Sequence, residues 1–225
     1  MSQSGILDLD LELNSLNAHC PTHMFSERFY MRIYKHRVNS KSALESVESA
    51  FGVEIDFRTN SNSLILAHDA FTQGELFEEW LSAWHGQPLI LNVKEDALEE
   101  AILEVLNQHG VTDFFFLDQS YPSIRRMISV GMTKVATRVS DYEDLSTALK
   151  SGSDWVWLDS FSGSWNYLME ATKAIDENGQ KSCLVSPELQ RLDSSDELNR
   201  LKTLIRENEL QLNAVCTKMP ESWLT

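Results

Sequence analysis

From about residue 32 the chain beats regularly between short apolar runs and longer segments of helical periodicity. The apolar runs are "RIYKH", "VEIDFR", "LILNVK", "DFFFLD", "KVATRVS", "DWVWLD", "SCLVS" and "LNAVCT". Between them lie "SALESVESAF", "ELFEEWLSAW", "ALEEAILEVLNQHG", "PSIRRMISVG", "YEDLSTALKSG", "WNYLMEATKAIDENG" and "SSDELNRLKTLIRENE", each with apolar residues three and four apart. That spacing gives a helix one buried stripe. Gly110, Gly131, Gly152 and Gly179 close four of these segments, where a left-handed cap ends a helix. Ser-Ser-Asp-Glu at 194–197 has the composition of a capped helix start. Strict strand–helix alternation demands parallel strands with right-handed crossovers. Eight strands and seven interposed helices predict a closed (β/α)8 TIM barrel over residues 31–225, as one domain. An open doubly wound sheet is the other arrangement such alternation allows, but its glycine-rich first turn is missing. Residues 1–30 precede the first strand and are expected to form an N-terminal extension or a cap over the barrel's bottom.

Composition excludes several classes. The 225 residues are 42% apolar and 24% charged, with only 9 Gly and 5 Pro, which rules out long disordered or collagen-like segments. A formal charge of −15 argues against a general nucleic-acid binder, whose phosphate contacts need a basic face. A small anionic substrate stays open, because a few local cations override the global field. Cys20, Cys183 and Cys216 are far apart and odd in number, so buried free thiols are expected rather than a disulfide framework. The amino terminus "MSQSGILDLDLELNSLN" has no basic stretch and no long apolar core, and so does not read as a signal peptide. No apolar run approaches the ~20 residues needed to span a bilayer. A cytoplasmic protein is the expectation.

In a barrel of this kind the site lies at the carboxyl ends of the strands. Those ends read His36-Arg37, Glu54-x-Asp56-x-Arg58, Asn92-x-Lys94, Asp118, Arg138, Asp159, Glu188 and Lys218. Glu54 and Asp56 are the oddity. Two apart on a strand, they point to one face with Cα atoms about 6.6 Å apart. Two buried acids repel each other and lose hydration, so they call for a cation, a basic partner or a shared proton. His68-Asp69 follows on what is expected to be a loop into the second helix.

The order of these elements resembles the glycerophosphodiester phosphodiesterase family, within the superfamily that includes phosphatidylinositol-specific phospholipases C. In that family the first strand ends in His-Arg-Gly, the second carries Glu-x-Asp, a His-Asp pair follows, and the third ends in Glu-x-Lys. Here they stand as His36-Arg37-Val38, Glu54-Ile55-Asp56, His68-Asp69 and Asn92-Val93-Lys94, and "CTKMP" is similar to the family's Thr-Asp-x-Pro. Val38 replaces a glycine, Asn92 the third metal carboxylate, and Lys218 an aspartate. The Pro-Glu-Asn-Thr element after the first strand and the insertion after the His-Asp loop are both absent.

The resemblance implies a phosphodiesterase acting on a small glycerol-, polyol- or sugar-phosphodiester. His36 and His68 would divide the acid and base roles, an unperturbed imidazole titrating near pH ~6.5. Glu54, Asp56 and Asn92 would hold a divalent metal, Mg2+ or Ca2+, through oxygen. Arg37 and Lys94 are the expected phosphate contacts, and Arg138 would meet a further anionic group. Asp118, Asp159 and Trp157 are candidate substrate contacts, although aromatics at period two also suit a core. Three alternatives stand beside this reading. One is a salt-bridge network joining Glu54 and Asp56 to Arg37, Arg58 and Lys94 without metal. Another is a metal-independent lyase or transferase, and the third is a barrel that binds a phosphorylated ligand without turning it over. The oligomeric state is not legible.

Overall fold

The computed structural model describes residues 31–192 and 195–224. The proposed leader or cap at 1–30, Cys20 and Ser194 of the expected helix start lie outside the described residues. Ten strands run in chain order: β1 (Arg32–Lys35), β2 (Gly52–Asn60), β3 (Ser63–Leu66), β4 (Glu75–Leu76) and β5 (Leu89–Val93), then β6 (Phe114–Leu117), β7 (Ala136–Val139), β8 (Trp155–Leu158), β9 (Lys181–Val185) and β10 (Ala214–Thr217). The helices are α1 (Lys41–Glu45), α2 (Phe77–Leu81), α3 (Glu99–Gln108), α4 (Tyr121–Ser129), α5 (Leu145–Ser151), α6 (Leu168–Glu177) and α7 (Ser195–Glu207). Gly152 caps α5 with φ 83°, and Gly110, Gly131 and Gly179 follow α3, α4 and α6 with φ of 68°, 86° and 73°.

Eight of the strands form the expected parallel ring. β1 pairs with β2 and β10, β2 with β5, β5 with β6, and β7 to β10 pair in sequence. The ring closes thinly between β6 and β7, through one parallel bridge, Phe116 to Val135. The (β/α)8 barrel is therefore present, with one weak seam.

The segment around residue 64 differs from the expected loop. β2 runs on to Asn60, turns at Ser61 with φ 54°, and returns antiparallel as β3, pairing Phe57 with Leu66 through Asn60 with Ser63. β4 then adds to β3. The run "SLIL" is apolar enough for a strand but follows the polar "TNSN", which hides its hairpin. A hairpin turn with a residue in the left-handed region is what that polar stretch supplies. The first two helices are also shorter than their apolar stripes suggest.

Period two sorts the core into shells. In β5, Leu89, Leu91 and Val93 pack toward the helices with Phe77 and Trp80. Ile90 faces the barrel interior with Tyr34, Phe115, Trp155, Trp157, Cys183 and Cys216. Phe115 and Trp155 stack there at 4.3 Å between ring centroids. Tyr34 fits because β2 has no side chain at Gly52, where a Cβ would lie 2.5 Å from the tyrosine ring. The plug is apolar, and on five of the eight ring strands the next inward position beyond it is polar. His36 follows Tyr34 by two, Asn92 follows Ile90, Arg138 follows Ala136, Asp159 follows Trp157 and Lys218 follows Cys216.

Trp80 anchors the shell beneath the site. It is fully buried, and its indole N–H donates to the Val38 carbonyl at 2.9 Å. Trp80→Ala is expected to cost about 3–5 kcal/mol by cavity formation. The melting temperature should fall by about 6–20 °C for a domain of this size. Thermal unfolding followed by circular dichroism checks this.

Candidate active site

The carboxyl end of β1 is stitched to the carboxylates of β2. The His36 N–H donates to the Thr217 carbonyl at 2.8 Å, and the chain then turns at Arg37 with φ 56°. A left-handed arginine costs backbone energy, of the kind often stored at functional sites. The turn aims the Arg37 N–H at Glu54 Oε2, 2.7 Å away. Val38 fills core space, and its N–H donates to the Glu54 carbonyl at 2.8 Å. Asn39, which sequence reasoning missed, exchanges two hydrogen bonds with Asp56. Its Nδ2 donates to Oδ2 at 2.7 Å and its Oδ1 accepts the Asp56 N–H at 2.9 Å. The only signal was its position two residues beyond His36-Arg37.

Glu54 and Asp56 are wholly buried. Glu54 Oε1 accepts from Asn92 Nδ2 at 2.8 Å. Lys94 Nζ lies 3.4 Å from Asp56 Oδ1 and donates to Asp118 Oδ2 at 3.0 Å. Arg37 Nε stands 3.9 Å from Asp56 Oδ2. Burial, reinforced by the Asp56 charge, pushes the Glu54 carboxyl up to about 8 against these donors. Arg58 does not join the pair: it donates to the His68 carbonyl at 3.0 Å and to Glu95 at 3.3 Å.

The two histidines reach the site by different routes. His36 Nε2 is 3.8 Å from Glu54 Oε2, and its Nδ1 is buried without a hydrogen-bond partner among the described residues. Burial, then the charges of Arg37, Lys218, Lys94 and His68, drives its pKa down to about 3. The ring is therefore neutral across the physiological range. His68 comes back along the hairpin, where the Ala67 N–H donates to the Asp56 carbonyl at 3.0 Å. Its Nδ1 lies 2.7 Å from Asp69 Oδ1, and its side chain is about one-third exposed. That contact orients the ring and holds the Asp69 carboxyl below its ordinary value.

The far side of the mouth is a charge ladder. Asp118, left-handed at φ 61°, bridges Lys94 and Arg138. Burial works to raise its carboxyl, but the two cations outweigh it and hold the group low. Arg138, expected to meet an anionic group of the ligand, faces protein carboxylates instead. Besides Asp118 it lies 3.6 Å from Asp159 and 4.0 Å from Glu143. Gln190 donates to both Asp159 oxygens at 2.9 and 3.0 Å, and burial raises that carboxyl all the same. Trp157, a candidate stacking face, is only 5% exposed and belongs to the interior plug beneath the mouth. Its place on the apolar side of the plug boundary, two residues before Asp159, is the physical reason. Glu188 accepts from Thr217 Oγ1 at 2.6 Å and the Lys218 N–H at 2.9 Å, tying the last strands together.

Among the described residues, no three or more His, Cys, Asp or Glu side chains group as a metal site. The third donor beside the carboxylates is instead the amide of Asn92. Asp56 and Asn92 stand directly opposite in the β2–β5 register, so both face inward side by side. Among the described residues, Asp56 Oδ1 and Asn92 Oδ1 are both buried without a hydrogen-bond partner. Lys94 Nζ is the charge nearest the first of these, and two such oxygens beside a second carboxylate fit a hard divalent cation, which takes oxygen ligands. Cys183 and Cys216 are free, buried in the plug and pushed well above the ordinary thiol range by burial.

Comparison with solved structures decides the architecture. The chain is similar to a glycerophosphodiester phosphodiesterase from Agrobacterium tumefaciens, with a TM-score of 0.64, 11% identity, and 87% of this chain and 100% of that chain covered. The fold is the one found in glycerophosphodiester phosphodiesterases. A second such enzyme, from Thermotoga maritima, matches with a TM-score of 0.63 and 13% identity over 85% of this chain and 96% of that chain. A mutant tryptophan synthase α-subunit from Pyrococcus furiosus follows at 0.55, with 11% identity over 86% and 89% of the two chains. No protein-family model matches this chain, and no curated protein matches it in sequence. No helix among the described residues is long and apolar enough to cross a membrane.

Proposed function

We propose that the protein is a metal-assisted phosphodiesterase that cleaves a small glycerol-, polyol- or sugar-phosphodiester by two-histidine acid/base catalysis. One observation carries this reading: two imidazoles in unlike surroundings flank a buried carboxylate pair at a barrel mouth that also presents Arg37 and Lys94. Neighbouring titratable groups with divergent environments are how one site supplies both an acid and a base.

The phosphate would sit between Arg37, whose side chain is 44% exposed and free to fork onto two oxygens, and Lys94 as a point charge. His36 is neutral and can take the proton of an attacking hydroxyl. An incoming anion offsets the Arg37, Lys218 and Lys94 charges that depress its pKa, so binding makes His36 a better base. His68, held at Nδ1 by Asp69, has Nε2 left to deliver a proton to the leaving alkoxide. Glu54, Asp56 and Asn92 would hold Mg2+ or Ca2+, which when bound polarises a phosphoryl oxygen and lowers the pKa of the attacking group.

The proximity of Lys94 and Arg37 to Asp56 supports a second reading, in which these cations serve in place of the ion. Both readings require His68. Release of a phosphomonoester from glycerophosphoinositol, whose leaving group is an alkoxide, is expected from the wild type. It should fall by about 10²-fold or more in His68→Ala, the usual range for a lost general acid. Stimulation by Mg2+ or Ca2+ and loss on chelation favour the first reading; equal rates with chelator favour the second. Equal release by wild type and variant overturns both.

A further inference from the structure

Lys218 is a cation at the barrel mouth to which the two-histidine chemistry gives no task. It lies beside His36: Lys35 pairs with Thr217 across β1 and β10, the His36 N–H donates to the Thr217 carbonyl, and Lys218 comes next. It also follows Cys216 of the plug by two and so shares its inward face. Its backbone is held firmly. The Lys218 N–H donates to Glu188 Oε1 at 2.9 Å, and that buried carboxylate also accepts from Thr217 Oγ1 at 2.6 Å and from Ser186 Oγ. The next amide, of Met219, donates to Thr217 Oγ1 at 2.9 Å.

The ammonium, by contrast, is uncommitted. Lys94 is shared between Asp56 and Asp118, Arg138 among Asp118, Asp159 and Glu143, and Arg58 is paired with Glu95. Lys218 forms no ion pair among the described residues, and its Nζ meets only the Glu188 carbonyl there, at 3.5 Å. A hydrogen bond that long is weak. Its charge nevertheless reaches the His36 ring. In the strand order β10, β1, β2, β5, Lys218 and Lys94 stand on either side of His36 and the Glu54–Asp56 pair.

We propose that Lys218 is a further catalytic residue, whose ammonium takes up the negative charge that develops on the phosphoryl oxygens during attack. The proposal rests on the phosphodiesterase reading, and the charge is this chain's own, at a position where the family it resembles has an aspartate. A phosphodiester brings one negative charge, for Arg37 and Lys94 to meet. As the attacking hydroxyl bonds to phosphorus its proton passes to His36, and the phosphoryl oxygens then carry two negative charges. The ester P–O bond breaks next, and the alkoxide leaves with the proton of His68. Only between these two events is there a second charge to hold. A third cation placed for that charge lowers the barrier without tightening the hold on the substrate. Lys218 suits the task because, unlike Lys94 and Arg138, it has no carboxylate to give up.

Two measurements on Lys218→Met and Lys218→Arg test this, and the exposed side chain makes both variants compatible with folding. In turnover of glycerophosphoinositol, Lys218→Met is expected to lower kcat by about 10²-fold, as loss of one oxyanion donor does, with KM nearly unchanged. Lys218→Arg keeps the charge and should recover most of the loss. Full activity in Lys218→Met overturns the assignment. So does a KM that rises with kcat unchanged, because Lys218 would then only hold the substrate. The second measurement needs no turnover. Sulfate and methyl sulfate are tetrahedral anions that carry two charges and one at any working pH, and calorimetric titration compares them. The wild type is expected to bind sulfate about tenfold more tightly, and Lys218→Met should bind the two alike. No preference in the wild type, or a preference that survives in Lys218→Met, overturns the role of Lys218 whatever the rates show. A preference lost in Lys218→Met, in a protein that turns nothing over, overturns the phosphodiesterase reading and the catalytic role with it, and leaves Lys218 as the contact for a second charge.

Discussion

His36→Ala is expected to lower kcat/KM for phosphodiester cleavage by about 10²–10⁴, the usual worth of a positioned general base. Its melting temperature should stay within a few degrees of the wild type. The combination is informative because a buried residue normally costs stability when truncated. His36 is an exception for two reasons. Its Nδ1 lacks a hydrogen-bond partner among the described residues, so no bond to them is lost there. Its ring also sits among Arg37, Lys218 and Lys94, which oppose its protonation. Parallel steady-state kinetics and thermal unfolding on the one variant separate the catalytic role from a structural one. A loss of activity matched by a large drop in melting temperature would indicate misfolding, and full activity would refute the base assignment.

Glu54→Gln should make the chelator-treated protein more stable at pH 8 than the wild type, by about 5 °C or more, and comparable near pH 5. The sign follows from linkage. Glu54 keeps its proton in the folded state up to about 8, against 4.5 in the unfolded chain. The stability this contributes is complete below 4.5 and is lost as pH rises through 8, because the unfolded chain ionises first. Glutamine removes that slope. It also removes the repulsion with Asp56, and Asn92 can turn its unpartnered Oδ1 to accept from the new amide. His36 works in the opposite direction. Its folded pKa near 3 lies below 6.5, so the stability it contributes is present above 6.5 and is lost as pH falls toward 3. The metal-free wild type should therefore be most stable in a narrow window near pH 5–6, with the alkaline limb absent in the variant. Mg2+ or Ca2+ should restore the wild type at pH 8 and leave the variant unmoved. Melting curves across pH, with and without ions, check each limb.

Much of the barrel could be read from periodicity alone. Each of the eight ring strands falls on one of the apolar runs, with β2 overrunning its run at both ends and β9 starting one residue early, because a strand buried on both faces must be apolar nearly throughout. The hairpin β2–β3 escaped because its returning strand is four residues long and sits behind a polar turn. The seam at β6–β7 is invisible in sequence, since pairing depends on how far two strands diverge and not on what each contains. At the site, the unusual placement of Glu54 and Asp56 on an apolar strand gave the strongest signal, and both proved wholly buried. Partners were harder to foresee. Asn39 holds Asp56 through a turn whose left-handed Arg37 no periodicity reveals, and Arg58, two residues farther along β2, reaches His68 and Glu95 instead. Arg138 and Trp157 show the limit of reading strand ends singly. One is already neutralised by neighbouring carboxylates, and the other lies just inside the apolar plug.

The most direct measurement of the proposed activity is phosphorus NMR of a polyol phosphodiester such as glycerophosphoinositol. The spectrum would be followed over time with chelator-treated protein and then with Mg2+ or Ca2+ added. Two-histidine catalysis predicts that the diester resonance gives way to a phosphomonoester, that the ion accelerates this, and that His36→Ala stops it. A diester signal that broadens and shifts on binding yet never converts, with either ion present, would contradict an enzyme and leave a barrel that only holds its phosphorylated ligand.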